Sequence, residues 1–378
     1  MAGIYIHIPF CKQRCRYCSF FSSTRKEDKE RYIAALCREL ETRRHYIGSS
    51  TIDTIYIGGG TPSTLNKEHF EKIFSTIYKV FTVSPDAEIT LEANPDDLSH
   101  EYLSMLRTLP FNRLSMGIQS FDDNLLRTLG RRHDSARAIE AFGNARAAGF
   151  NNISIDLMFA LPGSTRESWL ADLDRAISLR PEHISAYNLT YEEGTPMYRA
   201  AANGTITPLS EEENLEQFRM LTERIPDAGY IHYEISNFAL PGRESRHNSS
   251  YWHDIPYLGC GAAAHSYNGQ SRQWNISDIE EYIRGMEEEC PEYEIEHLTE
   301  NERYNDAILT RLRTRDGLPI EWFAQQFSEK LNRHMIKSAE KHLAAGTLTR
   351  TDEGCIRLTK EGIFISDAIM RDLIYIEE

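Results

Sequence analysis

Three thiols stand close together near the N-terminus, in the run Tyr5-Ile-His-Ile-Pro-Phe-Cys11-Lys-Gln-Arg-Cys15-Arg-Tyr17-Cys18. A Cys-x3-Cys-x2-Cys cluster can hold three irons of a four-iron cluster, which ordinarily takes four protein thiolates. The iron left without a protein ligand is open to a substrate or cofactor. The same side chains could instead form a zinc site, completed by His7 or a distant residue.

A second group, Gly58-Gly59-Gly60-Thr61-Pro62, follows a β-branched run. A plain turn accounts for it taken alone. Consecutive glycines also let the backbone approach a ligand with no Cβ in the way. Further polar residues stand at the ends of short apolar runs, notably Glu92, Gln119 and Asp156.

These groups need elements to position them. Strands are expected at Gly3–Ile8, Ile52–Ile57, Glu88–Leu91, Arg113–Ile118, Ile153–Phe159 and His183–Leu189, because the runs are short, β-branched or aromatic, and end in turn residues. Helical periodicity lies between them. In Lys29–Arg44 the residues Tyr32, Ile33, Leu36, Cys37 and Leu40 share a face, and Phe70, Ile73, Phe74, Ile77 and Phe81 do so in the next segment. Six β–α units in series predict an α/β fold, a partial (β/α)6 TIM-like barrel whose chemistry gathers where the strands end. An open doubly wound sheet is the alternative. No GxGxxG follows the first strand, which weakens its dinucleotide-binding form. Helix Glu211–Ile225 and strand Tyr230–Ile235 follow, then a turn-rich stretch at 241–250. Beyond residue 275 helices dominate, and Leu348–Arg350 with Ile356–Leu358 reads as a hairpin wing. The expected division is a barrel at 1–240, a connector at 241–275 and a winged-helix-like C-terminal domain at 276–378.

The thiol spacing, with Tyr17 before the last cysteine and the glycine run after the next strand, resembles the radical S-adenosylmethionine (SAM) superfamily. The resemblance implies a [4Fe–4S] cluster on Cys11, Cys15 and Cys18, with SAM on its open iron. One electron from the cluster then splits the sulfonium to a 5′-deoxyadenosyl radical, so the cofactor carries the hard chemistry. It also implies SAM contacts from Tyr5, Tyr17, Gly59, Gly60, Thr61, Glu92, Gln119, Arg131 and Asp156.

Tyr5–Cys11, Gly58–Pro62, Gly117-Ile-Gln-Ser-Phe121 and Ile155-Asp-Leu-Met-Phe-Ala-Leu-Pro-Gly163 together resemble the oxygen-independent coproporphyrinogen III oxidase group over almost the whole chain. That group contains true oxidases and HemW-type heme chaperones. The oxidases place a fourth cysteine two residues after the third; here the position is Phe20, which supplies no thiol and puts oxidase activity in doubt. His247-Asn-Ser-Ser-Tyr251-Trp252 matches the HNxxYW motif associated with heme in the chaperones. Imidazole ligates heme iron, and Tyr251 and Trp252 offer flat apolar area with a polar handle. The bland reading is a surface histidine beside two core aromatics, and His253, His265 and Cys290 are rival ligands.

The resemblance therefore implies a heme chaperone that carries heme, takes electrons from a donor and delivers heme to an acceptor protein. Two alternatives stand: a radical decarboxylase acting on a porphyrinogen, and an interaction protein with a structural or redox-sensing cluster. Homodimerisation and transient membrane association are open, and no stretch demonstrates either.

Bulk properties fit this reading. A net charge of −15 argues against a role resting on phosphate contacts with nucleic acid. The clustered thiols and an odd cysteine count of 7 point to a reducing cytoplasm rather than a disulfide framework. Cys37, Cys260, Cys290 and Cys355 read mostly as buried thiols.

Overall fold

The computed structural model describes residues 1–24, 28–48 and 50–377. The β-branched runs form β1 (Ala2–Ile8), β2 (Ile52–Gly59), β3 (Val83–Ala93), β4 (Arg113–Gln119), β5 (Ile153–Phe159) and β6 (His183–Asn188). They lie side by side in chain order, each parallel to the next. Between them run α1 (Lys29–Thr42), α2 (Lys67–Val80), α3 (His100–Leu106), α4 (Asp123–Leu129), α5 (Ser135–Ala147) and α6 (Arg166–Leu179). Parallel strands covered on both faces read as near-continuous apolar runs. Ile4, Ile6 and Ile8 accordingly are fully buried, each contributing roughly 1.5–3 kcal/mol relative to exposure. Helix starts are fixed by reciprocal caps, Asn66 with His69 and Thr165 with Ser168, at about 1 kcal/mol each.

The result is the expected parallel β/α partial barrel, extended at both edges. β7 (Ile231–Glu234) and β8 (Asn237–Ala239) add antiparallel strands beyond β6. On the other side β9 (Tyr257–Cys260) pairs parallel with β1, followed by antiparallel β10 (His265–Tyr267), β11 (Ser271–Asn275) and β12 (Tyr293–His297). Among the described residues the sheet has 12 strands. β3 begins five residues before its expected start, at Val83, because Val83 pairs with Ile52 despite Pro85 and Asp86.

Helix Ile279–Glu287 and β12, expected with the C-terminal part, continue this first body. Tyr282, Ile283 and Met286 join its core. A buried carboxylate ties the region together: Glu39 of α1 accepts from Tyr282 Oη (2.6 Å), Asn275 Nδ2 (2.7 Å), the Gly261 N–H (2.8 Å) and Arg43 (2.9 Å).

A second core gathers residues from Tyr304 to Leu373. Helices Glu300–Arg311, Ile320–Gln326 and Glu329–Ala344 precede the hairpin Leu348–Arg350 and Cys355–Leu358, to which Leu318–Pro319 adds a third strand. That order is winged-helix-like. Of the scattered thiols only Cys260 is buried; Cys290 is exposed and Cys37 and Cys355 are intermediate. Cys290 lies just past the end of helix Ile279–Glu287. No described helix is long and apolar enough to cross a membrane.

Candidate functional site

The ends of β1 to β6 enclose a cavity of about 560 Å³. Cys11, Cys15 and Cys18 line it together with Tyr17, Gly59, Gly60, Thr61, Glu92, Gln119, Arg131 and Asp156. Eleven of the fifteen residues singled out from sequence thus share one space. Tyr5, His247, Tyr251 and Trp252 do not line it.

The thiol loop is pinned by backbone bonds. Cys11 N–H donates to Ser23 O (2.8 Å), Ser23 N–H to Pro9 O (2.6 Å) and Arg16 N–H to Leu129 O (3.0 Å). Tyr17 packs on a small cluster that includes Leu129, Leu161 and Met197. All three thiols are free and partly exposed.

The glycines are required where the β2 end meets this loop. Gly59 has φ 109°, and a Cβ there would lie 2.6 Å from His7 Cε1. On Gly60 it would lie 3.0 Å from Cys11 Sγ. His7 is itself occupied, with Nε2 donating to Phe21 O (3.1 Å) and Nδ1 accepting from Tyr5 Oη (3.1 Å). It holds the loop rather than facing the cavity.

A chain of polar contacts then joins two of the thiols. Arg131 Nη1 donates to Cys15 Sγ (3.2 Å) and Nη2 to Asn94 Oδ1 and Gly117 O (both 2.5 Å). Asn94 Nδ2 donates to Thr61 Oγ1 (3.2 Å), and Thr61 Oγ1 to Cys11 Sγ (3.5 Å). Arg131 Nε is buried with no partner among the described residues.

Deeper in the cavity two carboxyls are held under strain. Burial pushes Glu92 up to about 7, despite donation from Tyr56 Oη (2.7 Å) and the Gly59 N–H (3.1 Å). Burial likewise raises Asp156 to about 6, despite the Ser185 and Ser115 hydroxyls. Arg113, 1% exposed, supplies compensating positive charge. Gln119 enters the cavity from a bulge with φ 73°, a backbone cost of roughly 1 kcal/mol. Such partly satisfied groups suit a polar ligand that completes their bonding.

Asn94 and Tyr187, at strand ends, also line the cavity, as do Tyr56, Arg113, Ser115 and Ser185, which sequence reasoning missed. Alternation was the available signal: Tyr56 lies two residues before Gly58, and Ser115 two before Gly117, on the same strand faces.

The His247 segment forms a short helix, Arg246–Trp252, whose first N–H groups are capped by Glu88 (3.2 and 3.0 Å). His247 is not a surface residue. It is 1% exposed and stacks on Tyr56 (5.1 Å) and Tyr5 (6.4 Å) inside the barrel. Nδ1 meets Thr54 Oγ1 (2.7 Å) and Nε2 meets Tyr251 Oη (2.8 Å). Burial and Arg113 push the imidazole down to about 3, so it is neutral. Gly3 makes the room: a Cβ there would lie 3.2 Å from the His247 ring. Asn248 reaches the thiol cavity, whereas Tyr251 and Trp252 line a separate groove against the C-terminal helices.

The chain resembles known proteins along its length. Residues 5–176 match the radical SAM superfamily, and residues 298–365 match the HemN C-terminal domain. It is 36% identical to the heme chaperone HemW of Bacillus subtilis, covering 98% of each chain. It is 32% identical to HemW of Mycobacterium tuberculosis, over 98% of this chain and 94% of that one. It is 30% identical to the mouse mitochondrial radical S-adenosyl methionine domain-containing protein 1, over 99% and 87%. Among solved structures, coproporphyrinogen III oxidase (HemN) of Escherichia coli superposes with TM-score 0.84 over 99% and 90% of the chains, at 24% identity. With its thiol loop, glycine-lined strand ends and HNxxYW helix, the chain belongs to the HemW family of the radical SAM superfamily.

Proposed function

We propose that this protein is a heme chaperone: it binds heme and passes it to an acceptor protein, using a [4Fe–4S] cluster and SAM. The observation that carries the cofactor part is the single cavity shared by three free thiols and six strand ends. The residues fit the group. Cys11, Cys15 and Cys18 would hold the cluster, and Arg131 and Thr61 already donate toward two of these sulfurs. Such donors stabilise thiolate charge. The Gly59–Gly60 backbone, Glu92, Gln119 and Asp156 would receive SAM, whose polar groups would relieve the two buried carboxyls. When bound, the pair supplies one-electron reduction and radical chemistry, which implicates an external electron donor.

Two features support the chaperone over a porphyrinogen decarboxylase. Phe20 is 70% exposed at the cavity wall, where the oxidases carry a further cysteine. Relatives in Bacillus subtilis and Mycobacterium tuberculosis that match along almost the whole chain are heme chaperones. We place the protein in a reducing compartment, where its thiols stay available.

Heme assignment to His247 carries a structural condition. Iron can take Nε2 only if the Tyr251 hydroxyl leaves it, or Nδ1 only if Thr54 does. Anaerobically reconstituted protein should bind heme stoichiometrically with a Soret shift and hand it to an apo-hemoprotein. His247→Ala should weaken binding. Unchanged binding removes His247 as ligand, and conversion of coproporphyrinogen III with reductant and SAM overturns the chaperone reading.

A further inference from the structure

The groove beside helix 246–252 is a separate cavity of about 350 Å³ between the barrel and the C-terminal helices. Tyr251, Trp252 and Tyr257 wall it on one side, and Trp322 and Phe327 on the other. Two buried polar groups in it lack partners. Arg311 is 9% exposed, and its guanidinium lies over the Trp322 ring at 3.7 Å. That guanidinium makes no ion pair or hydrogen bond among the described residues, and its Nε is wholly enclosed. Trp252 Nε1 is the second orphan.

Asp254 adds opposite charge at a distance, but neither nearby acid pairs with the guanidinium directly. Asp306 pairs with Arg272, and Asp254 accepts from the Tyr267 hydroxyl. A buried unpaired cation is costly to keep, and stacking on an indole recovers only part of the cost. What completes such a site is a ligand with flat apolar area and an ionised carboxylate.

We infer that this groove receives one edge of a porphyrin, with a propionate carboxylate on the Arg311 guanidinium. The inference rests on the heme reading above and locates its cargo site. The volume is at the low end for a ligand pocket, so part of the macrocycle stays outside. A carrier that must hand its cargo on needs that exposed edge. The pocket's inner wall is Tyr251, whose hydroxyl holds His247 Nε2, so the groove and the expected iron ligand are one side chain apart.

The test compares protoporphyrin IX with its dimethyl ester, by quenching of tryptophan fluorescence in the full chain at matched low detergent. The free acid should bind wild type at least about tenfold tighter than the ester, the value of a charge-assisted hydrogen bond. Arg311→Met keeps the volume and removes the charge. It should bind acid and ester alike, with thermal stability no lower than wild type. Equal affinity of wild type for the two porphyrins overturns the assignment, as does acid binding to Arg311→Met that matches wild type. So does a wild type that binds neither. The heme-chaperone reading fails on a different result, the absence of heme transfer to an acceptor, which Arg311-dependent porphyrin binding would leave standing on its own.

Discussion

Glu92 carries a pH signature that a single amide substitution should erase. Its carboxyl moves from an ordinary 4.5 to about 7 on burial. The groups facing it are Tyr56 on β2, Arg113 on β4 and Asp156 on β5; Tyr5, Tyr187 and Tyr251 are neutral neighbours whose phenols it pushes up. A carboxyl raised on folding binds its proton more tightly in the native state. Its contribution is therefore greatest below the unfolded value and is lost as pH climbs through the folded one. That interval, at about 1.4 kcal/mol per unit, gives a loss of about 3 kcal/mol by about pH 8. The amide introduced by Glu92→Gln would keep the Tyr56 bond and lose the one from the Gly59 N–H, costing about 1 kcal/mol. Glu92→Gln should therefore match wild type near about pH 5 and exceed it by about 2 kcal/mol near about pH 8. Urea unfolding of cluster-free protein under argon, with reductant, reads both points. A stability difference independent of pH, or a variant weaker than wild type at the higher pH, refutes the strained-carboxyl account. The same variant should lose SAM affinity, because the strain is what the ligand would relieve.

Gly59→Ala should destabilise by more than about 2 kcal/mol, since it combines a positive φ with a clash against His7; normal melting and normal iron content after reconstitution would count against the packing role. Glu39→Ala strips a fully buried carboxylate from four donors and should cost about 3–5 kcal/mol, seen as an earlier urea midpoint. Tyr251→Phe should cost only about 1 kcal/mol while freeing His247 Nε2. Its heme complex should show a stronger histidine-ligated Soret band, and a spectrum identical to wild type would mean that Tyr251 does not gate the imidazole.

The six barrel strands were legible because a sheet buried on both faces writes itself as β-branched runs such as Ile4-Tyr-Ile-His-Ile8. The ligand cavity was legible for the same reason, since chemistry collects at strand ends that the runs already mark. The added strands were mostly not. β10, β11 and β12 are short and polar, as in Ser271-Arg-Gln-Trp-Asn275, and owe their pairing to distant partners. Burial of His247 was equally hidden, because the space it fills depends on Gly3, the first-strand residue at the opposite end of the chain. Arg113 read as an ordinary strand start; its role as the buried cation beneath two carboxyls exists only once β2 to β6 are assembled. The division near residue 276 missed Glu39, whose bonds to Asn275 and Tyr282 hold that stretch to the barrel.

Helix 246–252 sends Asn248 into the thiol cavity and, within the next turn, Tyr251 and Trp252 into the groove. Linkage makes any influence between those two spaces mutual. Whatever factor groove occupancy applies to affinity in the thiol cavity, occupancy of that cavity applies to the groove. On the proposed function, such a coupling would let the filling of the SAM site alter how tightly heme is held. The shortest route for it would be seven residues of helix.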